Sequence, residues 1–288
     1  WGGVVTIAVS VVIPMHNGAE FILQQLDGLS EAIRDVADTE IIVVDNRSTD
    51  SGPALVRQWA LSTGVAAHVV GAHEKAGEPF ARNIGWRAAR GDVILFCDAD
   101  DVVSPGWVKA LARALTEHGY ATGPLDTSLL NDARIADIRG QALFRALPTL
   151  TNGIPFAHGC NMGFRRDVLE GLGGFDESFL IACDVEIAVR AWQQGIHPVW
   201  APEALVHYRL RPTVADSYRQ SRAYARARRR IDSLVTGAPG RVDWRHQGRR
   251  TVWLVRHMPQ TVTFGGRMRW SWVAGQVVGE LQGRRPWN

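Results

Sequence analysis

Gly91-Asp92-Val93-Ile94-Leu95-Phe96-Cys97-Asp98-Ala99-Asp100-Asp101 joins two opposed chemistries within one short stretch. The apolar run Val93–Cys97 ends directly in three carboxylates spread over four residues. A brief, unbroken apolar run bounded by glycine is the pattern of a strand buried on both faces. Three adjacent carboxylates repel one another and lose hydration against a core unless a cation compensates. Hard oxygen ligands of this kind suit Mn2+ or Mg2+, which share their coordination with substrate phosphates. Taken alone, the cluster could equally cap a helix starting near Trp107, because helix N-termini favour Asp.

The residues on either side favour the first reading. Val9–Ile13 is a β-branched run stopped by Pro14, and Ile41–Val44 is a second one, with Val69–Val70 a possible third. Between them, Glu20–Ala37 carries Phe21, Ile22, Leu26, Leu29 and Ile33 at helical spacing. Ser48-Thr49-Asp50 offers N-cap chemistry ahead of a helix over Pro53–Leu61, and Pro79–Arg90 forms a helix closed by Gly91. This alternation predicts a parallel sheet covered on both faces. Ligands bind such sheets at the carboxyl ends of the strands, so Pro14–Asn17, Asp45–Asn46 and Asp98–Asp101 are expected on one edge.

Beyond the cluster, Trp107–Glu117 predicts a helix, while His118–Gly159 is weakly patterned. Val168–Leu172 stops at Gly173-Gly174, Val185–Gln194 is a helix ended by Gly195, and Ala204–Tyr208 is strand-like. Three further helical stretches are expected at Ala215–Leu234, Thr251–Met258 and Arg267–Leu281.

Length and composition, 288 residues with 46% hydrophobic and 21% charged, fit one large globular domain with an appendage. The net charge of +3 hides an asymmetry: residues 1–208 carry 15 basic and 25 acidic side chains, residues 209–288 carry 17 and 4. An acidic body suits cation handling, and a basic tail suits anionic partners. The tail interleaves Arg with Trp244, Trp253, Trp270 and Trp272, as expected of helices that pack on the body, form a homodimer, touch a membrane surface or bind an anionic acceptor. No nucleic acid is expected as a partner, since no binding motif accompanies the charge. Three scattered cysteines make neither a disulfide framework nor a zinc site. With no bilayer-length apolar run and no signal peptide, the expected location is cytoplasmic, with peripheral contact at the inner face of the plasma membrane as a variant.

Several segments, taken in order, carry a family resemblance. They are Val9–Asn17 (VSVVIPMHN), Glu40–Asp50 (EIIVVDNRSTD), Ala81–Gly85 (ARNIG) and Gly91–Asp101 (GDVILFCDADD) in the first half. Gly159–Arg166 (GCNMGFRR), Gly173–Glu177 (GGFDE), Asp184–Arg190 (DVEIAVR) and His207–Arg211 (HYRLR) follow in the second. Over about residues 8–212 the chain resembles the family 2 glycosyltransferases. The resemblance implies an α/β GT-A fold, a Rossmann-like mixed sheet flanked by helices. Residues 1–212 would be catalytic, divided into a nucleotide-binding half (1–106) and an acceptor-binding half (107–212), with a basic helical extension over 213–288.

The same resemblance implies an inverting, metal-dependent, non-processive transferase. It would move a sugar from a nucleoside diphosphate, with a UDP-sugar the expected donor, to the hydroxyl of a lipid carrier, glycan, peptide or small molecule. Pro14 and Asn17 would line the base pocket, Asp45 would contact uracil or ribose, Asp98 the ribose, and Arg82 the nucleotide. Asp100 would hold the metal together with His207, while Arg209 and Arg211 would clamp the diphosphate. Asp101 is expected either to assist through water or to cap the next helix. Asp184 would be the general base, with Glu186 the fallback, and Asn161, Gly174 and Phe175 would lie on the acceptor side. The family's usual Glu before the base is Cys183 here, which leaves the orienting partner of Asp184 open. Two rivals stand beside this reading. One is a catalytically silent nucleotide-sugar-binding or scaffolding protein; the other is a nucleotidyltransferase, which would carry a Gly-rich basic loop where this chain has Pro14-Met15-His16-Asn17.

Overall fold

The computed structural model describes residues 8–36, 38–139, 145–238, 240 and 242–282. It divides into two compact units, one of residues 1–130 and 142–209, the other of residues 131–141 and 210–288.

In chain order the first unit contains β1 (Val9–Met15), α1 (Ile22–Ala32), β2 (Thr39–Asp45), α2 (Gly52–Thr63), β3 (Ala67–Gly71), α3 (Glu78–Ala88) and β4 (Val93–Phe96). Then come β5 (Val102–Val103), α4 (Trp107–Glu117), β6 (Tyr120–Thr122) and β7 (Leu125–Asp126). After α5 (Ala133–Arg139), which belongs to the second unit, the first resumes with β8 (Met162–Arg165), α6 (Arg166–Leu172) and α7 (Cys183–Gln193). It ends with β9 (Val199–Trp200) and β10 (Val206–His207). Seven strands form one sheet in the order β3-β2-β1-β4-β8-β6-β9, and β5-β10-β7 form a small second sheet.

β1, β2, β3 and β4 run parallel, as their spacing predicts, but β8 runs antiparallel to both β4 and β6. The sheet is therefore mixed, as the family resemblance implies, with the parallel part in β1 to β4. Parallel neighbours need a helical crossover between them, whereas β8 is reached through a long excursion that supplies β6 and β7 first. The weakly patterned His118–Gly159 thus holds real elements too short to show a period. The strand-like Ala204–Tyr208 narrows to Val206–His207.

Alternation along β1 explains the two covered faces. Val9, Val11 and Ile13 are fully buried in one cluster with Ile22, Leu26 and Leu29 of α1. Each such side chain contributes about 1.5–3 kcal/mol when withdrawn from water. On the opposite face α3 approaches so closely that a Cβ on Gly85 would stand 2.3 Å from Val12 Cγ1. Only glycine lets the helix settle there.

At the edge opposite the strand ends that carry the acidic cluster, Glu40 ties three segments together. It is 5% exposed and accepts from Ser10 Oγ at 2.7 Å, Arg90 N at 2.7 Å and Arg90 Nε at 3.1 Å. Burial alone would raise its pKa, but the Arg90 amide, the Ser10 hydroxyl and the Arg90 charge outweigh it and hold the carboxyl below its ordinary value. A depressed folded-state pKa means stability that is present above the unfolded value and lost as pH falls through the folded one. Glu40→Gln is expected to cost about 1–3 kcal/mol at neutral pH. The gap to the parent protein should close as pH falls below about 4, as chemical denaturation across pH would read.

The second unit is helical: α5, α8 (Val214–Thr236), α9 (Trp244–His257), a 3-10 turn (Met258–Val262) and α10 (Phe264–Gln282). α9 begins well before the expected Thr251, because Asp243 caps it by accepting from the Arg245 and His246 amides. α8 and α10 pack through small residues: a Cβ on Gly279 would stand 2.2 Å from Arg222 O, and Ser221 Oγ donates to Trp272 O at 2.6 Å.

Candidate active site

The loops leaving β1 and β2 are stitched together. In register, Pro14 faces Val44 and Met15 faces Asp45. Asn17, exposed at φ +52°, accepts from Thr49 N at 2.8 Å, and its own amide donates to Ser48 Oγ at 3.0 Å. Asp45 is 8% exposed; one oxygen accepts from Ser48 N at 2.9 Å and the other faces His73 Nε2 at 3.8 Å. The expected helix cap at Ser48-Thr49-Asp50 is corrected here. Asp50 instead accepts from Gly52 N and Ala19 N, binding the two loops, and α2 has no side-chain cap.

The acidic turn follows β4. Gln25, fully buried on α1, donates Nε2 to Asp98 O and accepts the Val103 amide, both at 3.0 Å, so one neutral amide spans the turn. Asp101 is 1% exposed; Oδ1 accepts from Arg209 N at 2.7 Å and Oδ2 has no partner. Burial, then the charges of Asp100 and Asp98, push Asp101 well above the usual carboxylate range. Burial and the Glu78 charge push Asp98 up to about 7, against the pull of Arg82.

Arg82, on α3 and 1% exposed, joins the parts of this centre. Its guanidinium pairs with Glu78, donates to Asp98 Oδ1 at 3.2 Å and to Cys183 Sγ at 3.2 Å, and lies 5.6 Å from the centroid of the Phe175 ring. Burial works against the charge, but Glu78, Cys183, Asp98 and Asp184 together hold the Arg82 pKa above its ordinary value. The backbone of Gly159 passes so close that a Cβ there would meet Nη2 at 2.7 Å. Gly159 in turn donates its amide to Asp184 Oδ2 at 3.0 Å, while Asp184 Oδ1 accepts from Val185 N at 2.9 Å. Asp98, Arg82, Cys183 and Asp184 therefore form one neighbourhood.

Other predicted residues sit differently. Glu186, 1% exposed, is paired with Arg190, whose guanidinium also donates to Gly174 O at 2.7 Å. Phe175 is 3% exposed, and Asn83 docks its loop by donating to Phe175 O and accepting Phe175 N, both at 2.9 Å. Gly174 holds φ +76°, and a Cβ there would stand 2.5 Å from Asn83 Oδ1. Asn161 is fully buried and spans the core: Trp107 Nε1 donates to its Oδ1 at 2.8 Å, and its Nδ2 donates to Ala204 O at 2.8 Å and Pro124 O at 3.0 Å. Arg209 donates to Asp100 O at 2.8 Å and Gln24 Oε1 at 2.9 Å, with its guanidinium 4.4 Å from the Phe21 ring centroid. Arg211 is exposed and belongs to the second unit.

His207 pairs in register with Asp126 of β7, and its Nδ1 lies 3.0 Å from Asp126 Oδ2, which leaves Nε2 outside that bond. Burial would raise Asp126, but the His207 contact and the Ser128 donors outweigh it and lower its pKa. Among the described residues, Asp98, Asp101 and Cys160 bring ligand atoms within 4.8 Å of one another; Asp100 and His207 are not in that group. The carboxylates, one with a buried unpartnered oxygen, fit a hard divalent cation. Cys160 does not, since burial pushes its thiol up and keeps it protonated. Sequence reasoning missed Glu78, Gln25 and Asp126. Glu78 could have been found from its i,i+4 spacing to Arg82; the other two have no local signal.

A family profile described as glycosyl transferase family 2 matches residues 10–173, and one described as glycosyl transferase family group 2 matches residues 93–278. The probable glycosyltransferase YdaM of Bacillus subtilis (strain 168) is 28% identical over 229 residues, which is 76% of this chain and 54% of YdaM. Glycosyltransferase AglE of Haloferax volcanii is 24% identical over 206 residues, 71% of this chain and 67% of AglE. The chain thus spans about half of YdaM and about two thirds of AglE. Among solved structures, mannosyltransferase PcManGT from Pyrobaculum calidifontis, in complex with GDP-Man and Mn2+, has a TM-score of 0.66 at 20% identity. The likeness covers 97% of this chain and 88% of that one. S. aureus TarS 1-349 in complex with UDP-GlcNAc has a TM-score of 0.56 at 16% identity, over 96% and 92% of the two chains. The fold is therefore the α/β GT-A fold, a mixed sheet flanked by helices.

Asn161→Ala would strip Trp107 Nε1 and two buried carbonyls of their partner. It is expected to lower unfolding free energy by about 2–3 kcal/mol in a denaturant titration.

Proposed function

The chain belongs to glycosyl transferase family 2, and from that premise we propose that it is an inverting, metal-dependent glycosyltransferase with Asp184 as general base. The donor is a nucleoside-diphosphate sugar, with UDP-sugars first in line, and the acceptor presents a hydroxyl. The observation that carries this reading is the contact of donor-side and acceptor-side residues through Arg82. The guanidinium that touches Asp98 also touches Cys183, and Gly159 lies between that guanidinium and the Asp184 carboxylate.

Each Asp184 oxygen receives one backbone amide, from Gly159 and from Val185. These fix its orientation and leave a lone pair for a proton. The acceptor oxygen attacks the anomeric carbon from the face opposite the leaving diphosphate. A new C–O bond forms as the glycosyl–phosphate C–O bond breaks, and Asp184 takes the hydroxyl proton. Inversion follows from that single displacement. Arg82 keeps Asp98 and Asp184 in one neighbourhood by sharing their charge, and Gly159 takes the orienting role left open by Cys183. A divalent cation, Mn2+ or Mg2+, held by Asp100 with the flanking carboxylates and His207, would supply charge stabilisation to the departing diphosphate. The Asp126–His207 contact supports His207 in that set, because metal-binding imidazoles commonly give their second nitrogen to a carboxylate. Cys183, in place of a carboxylate, favours one rival, a silent nucleotide-sugar binder.

Asp184→Asn should lower kcat by about 10²–10⁴-fold while donor affinity by calorimetry stays close to parental. Parental turnover in that variant would remove Asp184 as the base, and donor binding without turnover of any donor in the parent protein would favour the silent binder. Asp126→Asn should weaken Mn2+-dependent nucleotide binding by about tenfold or more, and a chelator should abolish it in both proteins.

A further inference from the structure

α9 is turned the opposite way from an ordinary surface helix. Its inward side is Gln247, Arg250, Leu254 and His257, at i, i+3, i+7 and i+10. Gln247 is 5% exposed and donates to Val277 O at 3.2 Å, while Arg250 pairs with Glu280 at 2.6 Å across the contact with α10. Polar residues are therefore packed inward beside the half-buried Trp253 and Leu254. Trp244, Gly248, Val252 and Val255, at i, i+4, i+8 and i+11, form the outward stripe. Trp244 is 69% exposed, Val252 51% and Val255 70%, and the stripe continues into the 3-10 turn with Met258 at 65% and Val262 at 82%. Large apolar side chains can stand singly in water without explanation, but an aligned row of them marks a surface that is covered in use.

The flank of the row says by what. Arg245, Arg249 and Arg256 form an exposed ridge directly beside it, and none of the three is in an ion pair among the described residues. The carboxylates that α8, α9 and α10 bring to this unit are engaged or turned away: Asp216 pairs with Arg219, Glu280 with Arg250, Asp232 is partly buried, and Asp243 is the α9 cap. α5 and its start carry Asp132, paired with Arg134, and the exposed Asp137. A second copy laid symmetrically on the same stripe would bring arginine ridges together, and residues 244–262 carry no acid to set between them. A lipid surface instead takes Trp, Val and Met into its interfacial layer and neutralises Arg with its headgroups. No helix among the described residues is long and apolar enough to cross a membrane, so the fitting geometry is a helix lying in the interface plane.

We propose that the outward face of α9 and the following 3-10 turn docks the protein on an anionic lipid bilayer, through Trp244, Val252, Val255, Met258 and Val262, with Arg245, Arg249 and Arg256 reading the negative headgroups. This assignment is independent of the transfer chemistry.

Sedimentation of the full chain with phosphatidylcholine vesicles, with and without about 30 mol% phosphatidylglycerol, tests it. Binding is expected only to the anionic vesicles, and about 0.5 M salt should weaken it. R245Q/R249Q/R256Q should reduce partitioning about a hundredfold, and V252S/V255S about tenfold or more. Parental melting temperature and circular dichroism in these surface variants establish that they fold. No binding to anionic vesicles overturns the proposal, as does binding that the folded variants retain. A dimer in vesicle-free light scattering that V252S/V255S dissociates would assign the stripe to a second copy and overturn it equally.

Discussion

A guanidinium withdrawn from water must be compensated by nearby negative charge, and Arg82 is 1% exposed. Its partners come from α3 itself, the turn after β4, and the start of α7, so one electrostatic requirement fixes three separate segments. The dependence is mutual. Asp98 and Asp184 would repel each other across the same space, and Arg82 makes their proximity tolerable. The carboxylates paired with Arg82 themselves reach solvent, Glu78 more than Asp98, so water screens the pairing from their side. The Gly159 backbone, laid against the guanidinium tip, transmits that placement to the Asp184 carboxylate.

Around this cation the chain separates what is held from what is offered. Glu186 and Arg190 form a closed pair that fastens the Gly174 loop, and Asn83 fastens the same loop from α3. Asn161 closes the core beneath. Asp184 has only backbone donors on its oxygens, and Asp101 keeps one buried oxygen without a partner. Groups with spare capacity at the end of a sheet, ringed by groups with none, are what a ligand site requires.

How much of this could be read from the sequence follows from the range of each signal. β1, β2 and β4 are long apolar runs with alternating or continuous burial, and their polar ends line one edge because parallel topology puts them there. The acidic turn was legible for the same reason. β7 and β10 are two residues each, too short to show a period, so the Asp126–His207 contact was invisible, as was the antiparallel β8. Whether a polar side chain points into a site or into the core is a tertiary fact. Asn161 and Glu186 carry the right chemistry for a site, and the sequence cannot say that both are buried and bonded to Trp107 and Arg190. α9 shows the limit most plainly: its apolar spacing is visible in sequence, but the spacing cannot say that the apolar side faces outward.

Gln25 carries a consequence of a different kind. The turn bearing Asp98, Asp100 and Asp101 hangs from a carboxamide that bonds main-chain atoms on both of its sides, the Asp98 carbonyl and the Val103 amide. A strut without charge does not respond when the charge around it changes. A change of charge around the turn leaves its suspension as it is, because charge does not alter the bonding capacity of an amide. The mechanical support of the acidic turn is in this sense insulated from its electrical load.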